Sequence, residues 1–309
     1  MERSGVAIRR VGGAAGACGA CRPRSIPAPR PSGAAAGRPL ALVKGAGDLA
    51  TGVALRLVRG GYAVVMTETV QPTVVRRKVA LADAVYEGRA EVEGLEAVLA
   101  LEADVVELLD RGVVPVLVDP EALAVRRLRP DLVVDAIMAK RNLGTRITDA
   151  PLVLALGPGF VAGWDVHAVI ETQRGPTLGC VITHGSAIPD TGIPAERNGF
   201  GKERILRAPV DGVFRPQKGI GDRVRRGEAV GHVDGAAVVS CLDGIIRGLL
   251  RGGLRVTAGF KLGDVDAGAT LRDCYAVSDK ALAIGEGVLE AACLLGACAP
   301  LGARHTAAS

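Results

Sequence analysis

A repeat with a strict offset of 32 residues constrains this chain more than any other feature. Asp211-Gly212-Val213 recurs as Asp243-Gly244-Ile245, Arg215 as Arg247, and Arg223-Val224 as Arg255-Val256. Gly227, Gly231, Val233 and Asp234 recur as Gly259, Gly263, Val265 and Asp266, so ten positions match without a gap. Asp-Gly and Gly-Asp steps mark turns, because glycine takes positive φ freely and aspartate bonds to its own backbone. The runs between these turns are the length of short strands. Two such halves folded on each other make a flattened antiparallel barrel with a pseudo-two-fold axis.

The string Ala208-Pro209-Val210-Asp211-Gly212-Val213, followed by Gly221-Asp222-Arg223-Val224 and Gly227-Glu228, resembles one half of a biotinyl or lipoyl domain. That resemblance implies an all-β barrel-sandwich hybrid over residues 206–270, with a carrier lysine on the hairpin joining the halves. The hairpin here, Gly235 to Ser240, reads Gly-Ala-Ala-Val-Val-Ser, and Lys218 and Lys261 lie elsewhere in the repeats. Neither biotin nor lipoate is expected, and the unit reads as a docking or structural module.

Upstream, Leu40 to Val43 is a short apolar run followed by Gly45-Ala46-Gly47-Asp48-Leu49-Ala50. Leu49, Val53 and Leu57 then recur at helical spacing. Gly60-Gly61 stops the helix, and Tyr62 to Met66 reads as a second strand. The loop fits G-x-G-x-x-G/A: Gly45 for the tight turn, Gly47 for phosphate approach, Ala50 for close helix packing. This predicts an α/β Rossmann-like nucleotide-binding domain with a parallel sheet over residues 39–205. Gly45, Gly47 and Asp48 are candidate cofactor-binding residues. Asp48 either caps the helix or marks a pocket for something other than a standard dinucleotide. Glu68, 23 residues past Gly45, stands where an acid would bind a ribose hydroxyl. Arg76 and Arg77 are candidates for phosphate contact, with a solvated loop as the plain alternative for all three.

Further units follow. Leu95 to Asp110 reads as a helix ending at Gly112, Val113 to Val118 as a buried strand, and Leu132 to Ile137 as another. The last ends in a polar cluster that includes Asp135 and Lys140. Ligands in open α/β sheets bind at the carboxyl ends of strands, which makes both residues weak catalytic candidates. A salt-bridged surface loop explains them equally well. His167 and Glu171 lie four apart on one face of a predicted strand and are the other weak candidates. Two ligands are too few for a metal, so no metal site is expected. A C-terminal helical segment, 271–296, starts at Ser278 as N-cap and packs back on a domain, where Glu286 or Glu290 could project toward a site.

Charge narrows the function classes. Residues 1–38 hold seven arginines against one acid, leaving 31 bases against 32 acids in the rest. A nucleic-acid binder needs a basic face on its folded part, so that class is rejected. Residues 1–38, rich in Gly, Ala and Pro, read as a disordered extension, an early-start artefact or an Arg-rich transit peptide. Residues 297–309 read as a tail. No apolar run reaches the length needed to span a bilayer. The lone Cys18/Cys21 pair lacks a second half-site. Cys180, Cys241, Cys274, Cys293 and Cys298 read as reduced, mostly buried thiols of a cytoplasmic protein.

Five strings, VKGAGDLATG (43–52), DLVVDAIMAKRNLGT (131–145), LGPGFVAGWDVHAVIET (156–172), APVDGVF (208–214) and SDKALAIGEGVLEA (278–291), together resemble the YqeB family. Its members are accessory proteins of selenium-dependent molybdenum hydroxylase systems, neighbours of the xanthine dehydrogenase accessory factors. The chain departs from the pattern at Pro176, where a histidine is expected, and at Cys180, where a basic residue is. The resemblance implies an accessory or maturation factor that binds a nucleotide or nucleotide-bearing molybdenum cofactor, partnered by the hydroxylase or its maturation proteins. It names no reaction. An NAD(P)-dependent oxidoreductase and a non-catalytic scaffold are the alternatives.

Overall fold

A computed structural model describes residues 37–192, 196 and 198–296. The expected extension before residue 37, the Cys18/Cys21 pair and the tail after 296 lie outside them.

The first unit is built on a nine-stranded sheet of order β3-β4-β5-β2-β1-β6-β7-β8-β9. Its central strands are β4 (Leu95–Ala100), β5 (Val114–Val118), β2 (Ala63–Glu68), β1 (Leu40–Lys44), β6 (Leu132–Asp135), β7 (Leu152–Leu156) and β8 (Ala168–Ile170), all parallel. Side chains alternate across it. From β1, Ala41 and Val43 face one core while Leu42 faces the other. Helices α1 (Asp48–Arg59), α2 (Ala84–Glu87) and α6 (Asp279–Leu294) cover the first face. The short helices α3 (Val105–Asp110) and α4 (Ala124–Leu128) cover the second. Sheets buried on both faces need near-continuous apolar strands, and β7 is buried at every position.

Two expectations are corrected here. The sheet is mixed, because β3 (Arg89–Val92) and β9 (Val181–Ile182) run antiparallel at its edges. The helix read over 95–110 is instead a strand, a turn and α3. Glu93 and Gly94 both hold positive φ, 49° and 80°, the geometry of a two-residue hairpin turn. Leu95 and Ala97 then point inward with a period of two, while Val105, Leu108 and Leu109 supply the helical part.

The second unit carries the repeat. Strands β10 (Ile205–Arg207), β11 (Gly212–Pro216), β12 (Arg223–Val224) and β13 (Ala229–Val233) form one half. The other half is β14 (Ala236–Val239), β15 (Gly244–Leu249), β16 (Arg255–Val256) and β17 (Lys261–Asp266). Pairing obeys the 32-residue offset: Phe214↔Val233 matches Ile246↔Val265, and Leu206↔Gly263 matches Val238↔Gly231. The halves exchange strands, so each sheet mixes both. The orders are β10-β17-β15-β12 and β14-β13-β11-β16. The expected single biotinyl/lipoyl-like barrel-sandwich hybrid is therefore corrected to two open four-stranded antiparallel sheets around one apolar core. The two-residue strands β12 and β16 end their sheets, so no hydrogen-bond ladder closes a ring.

After β17, α5 (Leu271–Tyr275) leads to α6, which returns to the first unit. Ser278 caps it, its hydroxyl accepting from the Ala281 amide at 3.1 Å. The N-cap satisfies a donor that the helix start would leave bare. Helix α6 lies against α1 at glycine contacts. A β-carbon on Gly285 would sit 2.5 Å from the Gly52 carbonyl oxygen, and one on Gly52 would strike the Ala281 carbonyl. Glu286 pairs with Arg56 at the surface. The cysteine expectation also changes: Cys180 and Cys241 are exposed, Cys274 is buried, and Cys293 is disulfide-bonded.

Gly285→Val should force α1 and α6 apart and lower the unfolding free energy by about 1–3 kcal/mol, the usual cost of overpacking. Denaturant titration checks this; an unchanged midpoint would show that the crossing is not tight.

Candidate functional site

The glycine loop joins the carboxyl end of β1 to α1, where the strand order turns from β2 on one side to β6 on the other. Such a switch point leaves a crevice at the strand ends. Gly45 has φ +90°, and a β-carbon there would lie 3.1 Å from the Ala136 carbonyl oxygen. Gly47 is the N-cap of α1, with φ −65°, and no side chain caps the first-turn amides. Asp48 is the first helical residue and does not cap the helix. Thr51 stabilises the loop from below, donating to the Gly47 carbonyl at 2.9 Å and accepting from the Leu81 amide at 2.9 Å.

Glu68 reaches the loop as placed by the sequence spacing, but it holds backbone. Its Oε2 accepts from the Ala46 amide at 2.9 Å and its Oε1 from the Thr69 amide at 2.7 Å. Glu68 also lines a cavity of about 430 Å³, together with Gly45, Gly47, Asp48, Asp119 and Met138, among others. Three carboxylates and no lysine or arginine line it.

The other candidates separate. Asp135 is buried, and its Oδ2 accepts from the Thr145 hydroxyl at 2.6 Å. The Lys44 ammonium donates to the same Thr145 oxygen at 2.9 Å and to Asp149 at 3.2 Å. This chain of donors satisfies charges that burial would otherwise penalise; nothing in a strand sequence marks Lys44 as part of it. Burial pushes the Asp135 carboxyl above its ordinary range, opposed by the Thr145 hydrogen bond. Glu171, also buried, is consumed by three backbone amides: Thr172 and Gln173 at 2.7 Å, and Ile188 at 2.8 Å. His167 lies at the opposite end of β8, its Nδ1 accepting from the Val153 amide at 3.0 Å. Four strand residues span about 13 Å, so His167 and Glu171 share a face but no site.

Lys140 pairs with Asp190 at 2.6 Å and lines a second cavity of about 460 Å³ between the two units. This cavity meets the first at Asp48, Leu49, Val75 and Met138. Seven cations line it against three carboxylates, Asp48, Asp190 and Asp264. The cations come from both units: Arg76, Lys140, Arg174 and Lys280 with the sheet, Arg204, Arg247 and Lys261 from the antiparallel unit. Burial, and next Arg174, push the Lys280 ammonium below the usual lysine range. Among the described residues no group of three or more His, Cys, Asp or Glu side chains could hold a metal ion, and no helix is long and apolar enough to cross a membrane.

Because the folded-state pKa of Asp135 is raised above 3.8, the folded protein binds this proton more tightly than the unfolded chain. Its contribution to stability is most favourable below that value and is lost as pH rises through the raised one. The melting temperature of wild type relative to Asp135→Asn should therefore fall as pH rises above about 4. A difference that grows with pH would contradict this.

No family model matches the chain. Among solved structures it is similar to an aspartoacylase family protein from Mesorhizobium loti, 13% identical, with 74% of this chain and 85% of that chain covered and a TM-score of 0.25. A succinylglutamate desuccinylase/aspartoacylase from Rhodobacter sphaeroides gives 14%, the same coverage and a TM-score of 0.22. Likeness at that level assigns nothing to this chain. A curated relative, "Uncharacterized protein YqeB" of Escherichia coli (strain K12), is 48% identical over 260 residues, 84% of this chain and 48% of the relative. The chain is thus homologous to YqeB over most of its own length, and spans about half the length of that relative.

Proposed function

We propose that this protein is a cytoplasmic accessory or maturation factor for a selenium-dependent molybdenum hydroxylase. Its cargo is a nucleotide or the nucleotide-bearing molybdenum cofactor, and its partners are the hydroxylase or its maturation proteins. The observation that carries this reading is the glycine-loop cavity. Uncapped amides at the start of a helix favour an anion. The carboxylates of Glu68 and Asp119 across the same cavity favour donors, such as ribose hydroxyls or the amino group of a base. A nucleotide carries both kinds of group, and about 430 Å³ is within the range of small-molecule sites. The accessory role itself rests on the resemblance of the five sequence strings, since the Escherichia coli relative is uncharacterized.

The oxidoreductase alternative needs a proton donor beside the cofactor. His167, the candidate for that donor, lines neither cavity described above.

Gly47 decides the matter experimentally. Its φ is negative, and a β-carbon there would meet only Val74 Cγ2, at an ordinary 3.5 Å. Gly47→Val therefore leaves the fold intact and places methyl groups in the ligand's path. Affinity for CTP or a molybdopterin dinucleotide should fall by at least about tenfold, or about 1.4 kcal/mol. Asp48→Asn removes a carboxylate that caps nothing, so phosphate-bearing ligands should bind more tightly. Calorimetric titration reads both; a wild type that binds neither CTP, NAD, NADP nor a molybdopterin dinucleotide sinks the proposal.

A further inference from the structure

The cationic cavity between the two units needs its own account, whatever occupies the glycine loop. Its central feature is Arg76, only 6% exposed. Nη2 of this guanidinium donates to the carbonyls of Asp273 and Ala276, at 2.9 and 3.1 Å. Nε and Nη1 are buried without a protein partner. Buried N–H groups left unpaired are costly, and most so on a charged group. Arg204 repeats the pattern on the opposite wall: Nη1 faces Asp264 at 3.3 Å while Nε has no partner.

The lining does not neutralise itself. Asp190 and Asp264 are each already engaged, with Lys140 and Arg204. Arg174 is held by Asp279 outside the lining set. With Arg174 set aside, the cations of the lining still outnumber its carboxylates, and they converge from two folding units, which keeps like charges together against their repulsion. An anion in the cavity would offset that repulsion. Guanidinium forks with nearby ammonium groups suit phosphate oxygens, the arginines binding in pairs and the lysines as point charges.

We propose that this cavity is a binding site for a phosphate or pyrophosphate group, held by the charges of Arg76, Lys261 and Lys280 and shared between the sheet unit and the antiparallel unit. The group is either the phosphate end of a larger ligand or a free oxyanion. Because both walls contribute cations, occupancy ties the two units together, and ligand should raise the melting temperature by linkage. The assignment does not require a nucleotide in the glycine-loop cavity.

The test titrates the full chain with inorganic phosphate and pyrophosphate at low ionic strength, by calorimetry and thermal unfolding. Wild type should bind pyrophosphate, gain melting temperature from it, and lose affinity as salt is added. Lys261→Gln combined with Lys280→Gln should weaken binding by about tenfold without lowering the unliganded melting temperature, since it removes mutually repelling charges. Arg76→Met should weaken it further, but it also breaks the contacts to Asp273 and Ala276, so the lysine pair gives the cleaner reading. No binding by wild type at millimolar pyrophosphate, or equal binding by the lysine variant, overturns the proposal. CTP distinguishes the source: competition with pyrophosphate makes the group a nucleotide's own phosphate, and simultaneous binding makes it a separate oxyanion. Both outcomes support the site. Gly47→Val separates the two readings, since it should weaken CTP binding by at least about tenfold and leave pyrophosphate binding in place.

Discussion

The crossing of α1 and α6 is the contact on which the arrangement of the two units depends. Helix α1 starts at the glycine loop, and α6 arrives only after the whole antiparallel unit has been built. Gly52 and Gly285 let the two backbones touch, where any side chain would collide with a carbonyl. The antiparallel unit is thereby tethered at both ends to the sheet, through β9 and the segment after it on one side and α6 on the other. The strap 75–77 adds a third attachment. The Leu249 amide donates to the Val75 carbonyl at 2.7 Å, and Arg77 Nε to the Leu249 carbonyl at 3.2 Å. Two units fixed at three places cannot drift apart freely, so the space between them has a defined shape.

That geometry divides the charges at the carboxyl ends of the strands. On one side of Asp48 the walls carry carboxylates, and on the other they carry lysines and arginines. Asp48 stands at the junction, close enough to Lys280 to oppose the lowering of its proton affinity. A ligand with donors at one end and anionic oxygens at the other matches this division. A uniformly anionic ligand would meet repulsion in the glycine-loop half.

Several polar residues that look chemical in the sequence are spent on structure. Glu171 fastens two loops through three amides, Asp135 and Lys44 share Thr145, and Glu68 positions the glycine loop by bonding Ala46. Each has a buried or half-buried charge whose hydrogen-bonding capacity is taken up by backbone or a neighbour, as desolvation demands. Strand ends gather such residues for a mechanical reason: loops there cross one another and need fastening.

The sequence by itself determined the local units. Glycine spacing and helical periodicity marked the loop from Gly45 to Ala50 and helix α1, since both depend on near neighbours and the absence of a Cβ. The 32-residue repeat was legible because symmetry-related turns require the same Asp and Gly residues, and the strand registers follow the same offset. The helix read over 95–110 failed, because the apolar run Ala97 to Leu101 fits two periods and only the Glu93-Gly94 turn selects one. What only the tertiary structure decided are the edges and the meeting places. Antiparallel β3 and β9, the open sheets of the second unit, and the convergence of Arg76, Arg174, Arg204, Arg247, Lys261 and Lys280 all join residues far apart in the chain. No local pattern encodes that convergence, because each cation lies on a different segment and becomes a site only when α6 closes on α1.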